Sequence, residues 1–192
     1  MILYLIIISF SSLVLAGVMT FAYSMNFFLA LGLVWIGIIM SVLIDGAVCG
    51  IVRLTPKKVA RHDKKIFTVS LKEKKFYEKL NIRKWKDKIP EIGHFTGFRK
   101  NKIADPKSVE YVERFLMEAC YGEIGHFLAL FFGFLIVLFF PIHSAWIAIS
   151  IPVAIINAIL NFPPILVLRY NRYKLEVLLA SNLKKQLRKT EK

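Results

Sequence analysis

The sequence has no charged side chains over two long stretches. Lys, Arg, Asp and Glu are absent from Met1 to Ile44, and again between Glu123 and Arg169. A membrane-spanning helix needs about 20 apolar residues, so each stretch is long enough for two such helices. With 56% hydrophobic residues, the 192-residue chain is too apolar for a soluble domain. The sequence therefore predicts an all-α polytopic membrane protein with four transmembrane helices.

The uncharged stretches and their turns place the helices along the chain. We predict transmembrane helices near residues 2–22, 27–51, 124–141 and 145–168, with hairpin turns at 23–26 and 141–144. They form two hairpins, 1–52 and 117–168, separated by a basic segment of interfacial helices (53–116) and followed by a basic tail (169–192). No basic region precedes the first apolar run, which argues against a secretory signal peptide.

Basic residues are confined to two regions. Segment 53–116 holds 19 of the 27 Lys and Arg residues, the tail holds the other 8, and the hairpin turns hold none. Basic loops stay in the cytoplasm, so we expect a multi-pass protein of a bacterial cell membrane with both termini and the basic segment inside. This bias and the attraction of anionic lipids account for the net charge of +14. No nucleic-acid-binding motif accompanies the charge, so we expect no nucleic-acid partner. The sequence does not indicate the oligomeric state.

Disulfide and metal chemistry have little support. The two cysteines, Cys49 and Cys120, form no CxxC pair, and a reducing cytoplasmic side argues against a disulfide. A di-iron site in a helical bundle needs two Glu-x-x-His pairs, whereas the sequence offers one. We therefore predict no metal.

Three acidic residues lie where the sequence turns apolar: Asp45, Glu118 and Glu123. Ionisable residues near membrane depth are functional candidates by default. Glu123 and His126 are three residues apart and so share a helical face, with Glu118 a little over two turns earlier. A carboxylate beside an imidazole holds one tautomer and raises its basicity, as a general base that deprotonates an alcohol requires.

The basic segment carries helix signals and a mixed aromatic and basic stretch. Ser70 and Glu73 predict a capping box, and Asp105 or Ser108 is expected to cap a helix running from about residue 107. Between them, Phe76, Leu80, Ile82 and Trp85 are expected to line one side of a helix in the headgroup plane. The adjoining Arg83, Lys84, Trp85 and Lys86 either anchor that helix or bind the phosphates of a donor such as an acyl thioester of coenzyme A.

The fourth apolar run contains amides and prolines. Asn157 and Asn161 are four residues apart on one face, suited to helix–helix hydrogen bonding or to a polar pocket. Pro163 and Pro164 are expected to kink or end the helix. The run is followed by Arg169-Tyr170-Asn171-Arg172, which is either a stop-transfer cluster or a grip for an anionic or sugar-bearing lipid.

Together these motifs resemble the glycosyl-4,4'-diaponeurosporenoate acyltransferases, which carry out the last step of staphyloxanthin biosynthesis. The resemblance covers roughly residues 20–180 and rests on three pieces of sequence. The matching pieces are Phe76-Tyr77 with the stretch from Arg83 to Gly93, Glu118 with Glu123-Ile-Gly-His126, and Asn161-Phe-Pro163 with Arg169-Tyr170-Asn171-Arg172.

The resemblance implies a membrane enzyme that esterifies a fatty acyl chain onto a sugar hydroxyl of a glycosylated, carotenoid-like lipid. In this interpretation His126, oriented by Glu123 or Glu118, is the base. Arg169 and Arg172 grip donor phosphates or the developing oxyanion, while Asn161, Tyr170 and Asn171 orient the sugar. Asp45 is counted with the substrate-binding residues. The expected partners are the bilayer, a lipid-linked sugar acceptor and an acyl thioester co-substrate, with no bound cofactor.

Two other classes of protein fit the residues. One is a different small membrane-embedded lipid transferase or reductase, for example a methyltransferase-like enzyme. The other is a non-enzymatic lipid-binding protein, which would leave Glu118, Glu123 and His126 without a task.

Overall fold

The computed structural model describes residues 2–90, 103–139 and 144–190. The loop containing His94 and most of the second predicted hairpin turn, including His143, lie outside these ranges. Within them, every regular element is helical. The α-helices are α1 (Ile2–Tyr23), α2 (Phe27–Leu54), α3 (Leu71–Lys79), α4 (Ile82–Trp85), α5 (Val109–Phe132) and α6 (Ser144–Thr190). Short 3-10 helices cover Lys57–Ala60, Lys86–Lys88 and Gly133–Leu138.

Four of the helices are long and apolar enough to cross a membrane. They are α1, α2, α5 with its 3-10 extension, and α6, which confirms the predicted fold class. The first two match the predicted ranges to within three residues. Helix α5 begins at Val109, close to the start at about residue 107 predicted for the preceding helix, and continues into the predicted third transmembrane helix. Helix α6 is longer than predicted because it continues through the basic tail to Thr190.

The chain forms two compact units. The first unit contains Met1–Val52 and Gly125–Pro163, and the second contains Arg53–Ile124 and Pro164–Lys192. In the first unit, small and branched residues of the long helices pack into one core. Its buried members are Leu15, Ala16, Met19, Ala30, Val34, Ile136, Ile149, Val153 and Ala154. Large apolar residues such as Phe10, Phe21 and Phe28 remain exposed, as expected for helices that face lipid.

The second unit has a smaller core and well-defined helix starts. Val112 and Leu116 of α5 pack with Leu175 and Leu179 of α6, and each pair is spaced four residues apart, on one helical face. The Ser70 side chain accepts a hydrogen bond from the Glu73 backbone N–H at 3.1 Å. Ser108 does the same for the Tyr111 N–H at 3.1 Å. The caps predicted at Ser70 and Ser108 are therefore confirmed.

The single amphipathic helix predicted around residues 76–87 is wrong. Asn81 has a positive φ of 52°, which an Asn tolerates better than most residues. This left-handed residue separates α3 from α4 and turns their faces apart. Ile82 is fully buried, whereas Phe76 and Leu80 are exposed, so these residues do not share one apolar side.

The last helix, α6, runs through Pro163 and Pro164, so the expected helix end is wrong and the alternative, a kink, stays a prediction. A proline lacks the N–H that would reach the carbonyl four residues earlier. For Pro164 that carbonyl belongs to Leu160, and the Tyr4 hydroxyl of α1 donates a hydrogen bond to it at 2.6 Å. A side chain from the other end of the sequence thus satisfies the backbone group that the proline frees.

Candidate active site

The first unit contains a polar cluster, here called the His126 cluster, formed by Asp45, His126, Asn157 and Asn161. His126 Nδ1 lies 2.8 Å from Asn161 Oδ1. Asn161 Nδ2 donates to one Asp45 oxygen at 2.8 Å, and Asn157 Nδ2 donates to the other at 3.1 Å. Three helices that could each cross the membrane thus contribute polar side chains to a single hydrogen-bonded chain.

The carboxylate fixes the direction of every hydrogen bond in this chain. An ionised carboxylate only accepts, so the Asn161 amide must turn its NH2 group towards Asp45 and its oxygen towards His126. The imidazole nitrogen facing that oxygen must then carry the proton. His126 is therefore protonated on Nδ1, and Nε2 retains the lone pair that a general base uses.

Space for the cluster depends on a glycine. A Cβ added to Gly133 would lie 2.5 Å from Asn157 Nδ2, a distance that real Cβ atoms do not reach. Asn157 packs against the backbone at Gly133 and also donates a hydrogen bond to Asp45 of α2. Asn161 is buried as well, so the amide pair is held by packing in addition to its hydrogen bonds.

The partner of His126 differs from the predicted one. The sequence offered Glu123 or Glu118 as the orienting group, but the ring bonds to Asn161, which lies 35 residues further along the chain. Asp45 was expected to contact substrate, and its carboxylate is occupied by the two Asn amides. The sequence had identified each member of the cluster, but it carried no signal that the four belong together.

In the second unit, Arg169 and Arg172 form an ion-pair network with Glu73 and Glu123, here called the arginine cluster. Arg169 Nε lies 2.5 Å from Glu73 Oε1, and its Nη1 lies 2.6 Å from Glu123 Oε1. Arg172 Nη2 lies 2.5 Å from the other oxygen of Glu123. Two positive and two negative charges thus balance within the cluster.

Backbone and aromatic groups complete the arginine cluster. Arg169 Nη1 donates to the Ile66 carbonyl at 3.1 Å, and Arg172 Nη1 donates to the Phe67 carbonyl at 3.1 Å. The Arg172 guanidinium also lies 5.1 Å from the centre of the Phe67 ring, within cation–π range. The arginines therefore fasten the segment before α3 to α6.

Glu73 and Tyr77 were not recognised as members of this network. Tyr77 donates a short hydrogen bond to Glu73. Burial raises the pKa of the Glu73 carboxyl, but hydrogen bonds from Arg169 and Tyr77 outweigh it and hold the pKa below its usual value. Burial and the neighbouring carboxylate raise the pKa of Tyr77 to about 12. The capping box had accounted for Glu73, and this concealed its second role.

These contacts limit what the two arginines can grip. The Arg172 side chain has no exposed surface, and that of Arg169 is 18% exposed. Both already face carboxylates, so a substrate phosphate would have to displace one of them. Removing a partner from a buried ion pair costs about 3–5 kcal/mol.

The other predicted site residues of the second unit are dispersed. Glu118 forms an ion pair with Arg53 at 2.9 Å. Tyr170 is buried and accepts a hydrogen bond from Lys174 at 3.0 Å. Asn171 lies next to it on α6, half-buried.

The basic stretch of α4 and the 3-10 helix after it is accessible to solvent. Arg83 and Lys84 are exposed, whereas Trp85 and Lys86 are half-buried. The Trp85 ring donates to the Leu80 carbonyl at 3.0 Å, which fixes the short helix on the end of α3. Unlike the arginine cluster, this stretch presents its cations to solvent.

One family model matches the chain from the 3-10 helix after α2 into the second half of α6. The model of the family described as glycosyl-4,4'-diaponeurosporenoate acyltransferase matches residues 58–181. The matched range contains His126, both Asn residues of the His126 cluster and the whole arginine cluster. Asp45 and helices α1 and α2 lie outside it. No curated protein and no solved structure matches the chain.

Proposed function

The chain belongs to the glycosyl-4,4'-diaponeurosporenoate acyltransferase family and is an acyltransferase, and we propose from this premise that it esterifies a sugar hydroxyl of a membrane glycolipid. The acyl donor is a thioester such as acyl-coenzyme A, and the acceptor is a glycosylated isoprenoid-like lipid. The placement of the basic residues favours the cytoplasmic face for the reaction. Membership sets aside the non-enzymatic and methyltransferase-like alternatives.

The observation that carries the proposal is the hydrogen bond between His126 Nδ1 and Asn161 Oδ1, which leaves the lone pair on Nε2. In the proposed step this nitrogen takes the proton from the sugar hydroxyl while the hydroxyl oxygen attacks the thioester carbonyl carbon. A C–O bond forms, the C–S bond breaks, and the departing thiolate receives the proton back from the imidazolium. No acyl-enzyme is required, in keeping with the absence of a recognisable Ser or Cys nucleophile in the sequence.

Asn161 and Asp45 act in this proposal as positioning residues. Nδ1–H of His126 donates to Asn161, whose amide is held by the Asp45 carboxylate. When His126 becomes an imidazolium, the carboxylate at the far end of the chain stabilises the new positive charge through the intervening amide. The arrangement resembles a catalytic triad in having a base, an orienting amide and a half-buried acid.

The arginine cluster has a structural role in the proposal. Because Arg172 is fully buried and Arg169 bridges two carboxylates, we assign both to holding the segment before α3 in place. The exposed cations Arg83 and Lys84 suit the donor phosphates better, since they need not break an existing ion pair. Glu118 and Glu123 keep the neighbouring arginines neutralised.

The test uses purified protein in lipid nanodiscs with labelled acyl-coenzyme A and a glycolipid acceptor. His126→Gln should lower the rate by about 10²- to 10⁴-fold, the usual contribution of a general base. His62→Gln is the matched control and should retain wild-type activity. An active His126→Gln enzyme would exclude this base. Mass spectrometry of total lipids from cells with and without the gene identifies the esterified product.

A further inference from the structure

A narrow apolar cavity lies in the first unit, among α1, α2 and α6. Its walls are eight aliphatic side chains with three serines and one asparagine, and it has no aromatic or charged lining. The space between the walls is about 430 Å³, including its open side. Its predominantly aliphatic walls suit a hydrocarbon chain.

One end of this cavity meets the His126 cluster. Asn157 lines the cavity and also donates to Asp45 at 3.1 Å. From Ser41, one turn before Asp45 on α2, the cavity extends along the helix to Val34. Seven residues of helix correspond to about 10 Å. Its polar end is thus next to the proposed base, and its apolar end leads away from it.

A buried hydroxyl at the polar end has no partner among the residues that the structure describes. Ser41 lines the cavity and is 2% exposed, and its Oγ makes no hydrogen bond to any of the described residues. A buried hydroxyl without a partner carries a free-energy cost of about 1–3 kcal/mol. A carbonyl oxygen placed at the mouth of the cavity would accept this hydrogen bond and remove the cost.

We propose that this cavity binds the fatty acyl chain of the donor, with the thioester carbonyl at Ser41 and Asn157. The proposal rests on the acyl transfer proposed above and assigns it a chain-binding site. Aliphatic walls complement an unbranched chain, and the polar end presents the carbonyl to a hydroxyl that His126 has deprotonated. The cavity walls on α1 and α2 lie outside the family match, so acyl-chain preference is a property of this chain's own first hairpin.

The first test changes the width of the cavity. Ile38→Phe fills it from α2, whereas Ile39→Phe makes the same change at a neighbouring residue that is exposed. We expect Ile38→Phe to lower the rate with a hexadecanoyl thioester by about tenfold or more, with butanoyl transfer changed by less than about twofold. Ile39→Phe should leave both rates unchanged. Equal effects of Ile38→Phe on both donors would overturn the proposal.

The second test needs no variant and no activity. A photoreactive diazirine fatty acyl thioester is irradiated with the wild-type protein in nanodiscs, and the labelled residues are mapped by mass spectrometry. We expect labels on cavity residues of α1 and α2, competed by unlabelled acyl thioester and not by the acceptor. Labelling that only the acceptor competes away would assign the cavity to the acceptor's chain. Labelling that persists in excess unlabelled donor would assign it to bilayer lipid. Either result would overturn the proposal.

The two tests separate this proposal from the one on which it depends. Acyl transfer with labels elsewhere would refute the cavity but leave the reaction intact. Competed labelling of the cavity without transfer to any sugar would support the acyl-chain site and refute the proposed reaction.

Discussion

The direction of the hydrogen bonds in the His126 cluster makes Asp45→Asn the most informative substitution. The change preserves the size of the side chain and removes the carboxylate, which can only accept hydrogen bonds. The new amide is able to turn its NH2 towards Asn161, which then flips and presents its own NH2 to His126. The imidazole must accept that bond on Nδ1, so its proton moves to Nε2, the atom that should act as the base.

The expected size of the effect follows from what is lost. Asp45 accepts hydrogen bonds from Asn161 at 2.8 Å and from Asn157 at 3.1 Å. An Asn in its place can accept from Asn157 through its oxygen and donate through its NH2 to the oxygen of the flipped Asn161. Stability should therefore change little, whereas the base is inactivated. General-base catalysis contributes about 10²- to 10⁴-fold, equivalent to about 3–5 kcal/mol of activation free energy.

The assay is the initial rate of acyl transfer in nanodiscs, with the unfolding temperature measured on the same preparation. Glu110→Gln makes the same acid-to-amide change at an exposed residue of α5 and should behave like wild type. A folded Asp45→Asn enzyme with a rate within about twofold of wild type would refute the role of the carboxylate in setting the tautomer.

Four further changes test other parts of the structure. Glu123→Gln should lower the free energy of unfolding by about 3–5 kcal/mol, because the buried Arg172 and the half-buried Arg169 both lose a carboxylate; an unchanged denaturation midpoint would contradict this. Gly133→Ala should displace the Asn157 amide and lower the transfer rate by about tenfold or more, and a wild-type rate would show that the helix yields instead. Tyr4→Phe should cost about 1–3 kcal/mol by leaving a proline-freed carbonyl unsatisfied, as measured by denaturant unfolding. The carboxyl pKa of Glu73 is lower in the folded protein, so its stabilisation is complete above about pH 4.3 and is lost as the pH falls through the folded pKa. Glu73→Gln should flatten that part of the stability profile, and a slope unchanged from wild type would count against the ion pair.

The sequence was sufficient where a local pattern decides the structure. Uncharged runs gave α1 and α2 to within three residues, and Ser70 and Ser108 gave two helix starts, because both signals are short-range. The compensation at the proline pair has a tertiary origin, since the hydroxyl that satisfies the freed carbonyl lies at Tyr4, 156 residues away from it. No pattern in α6 reports that hydrogen bond.

The candidate site shows the same division. Each ionisable or amide residue of the His126 cluster stood out by its polarity in an apolar run, but their pairing depends on helix packing over 112 and 116 residues of chain. Glu123 and His126 looked like partners because three residues separate them. Spacing on one helix showed that these groups could share a face. It could not show that Glu123 would form ion pairs with arginines of α6, or that His126 would form a hydrogen bond with an amide of α6.

The hydrogen bond between Tyr4 and Leu160 also constrains how the protein is made. At about 5–20 residues per second, roughly 8 to 30 s of synthesis separate the two residues. During that time α1 has to remain in the bilayer without its final partner, which its uncharged sequence permits, since independently stable helices insert first and associate later. The Leu160 carbonyl of α6 receives its donor only when α1 docks against it. The hydrogen bond therefore couples the docking of α1 to the completion of α6.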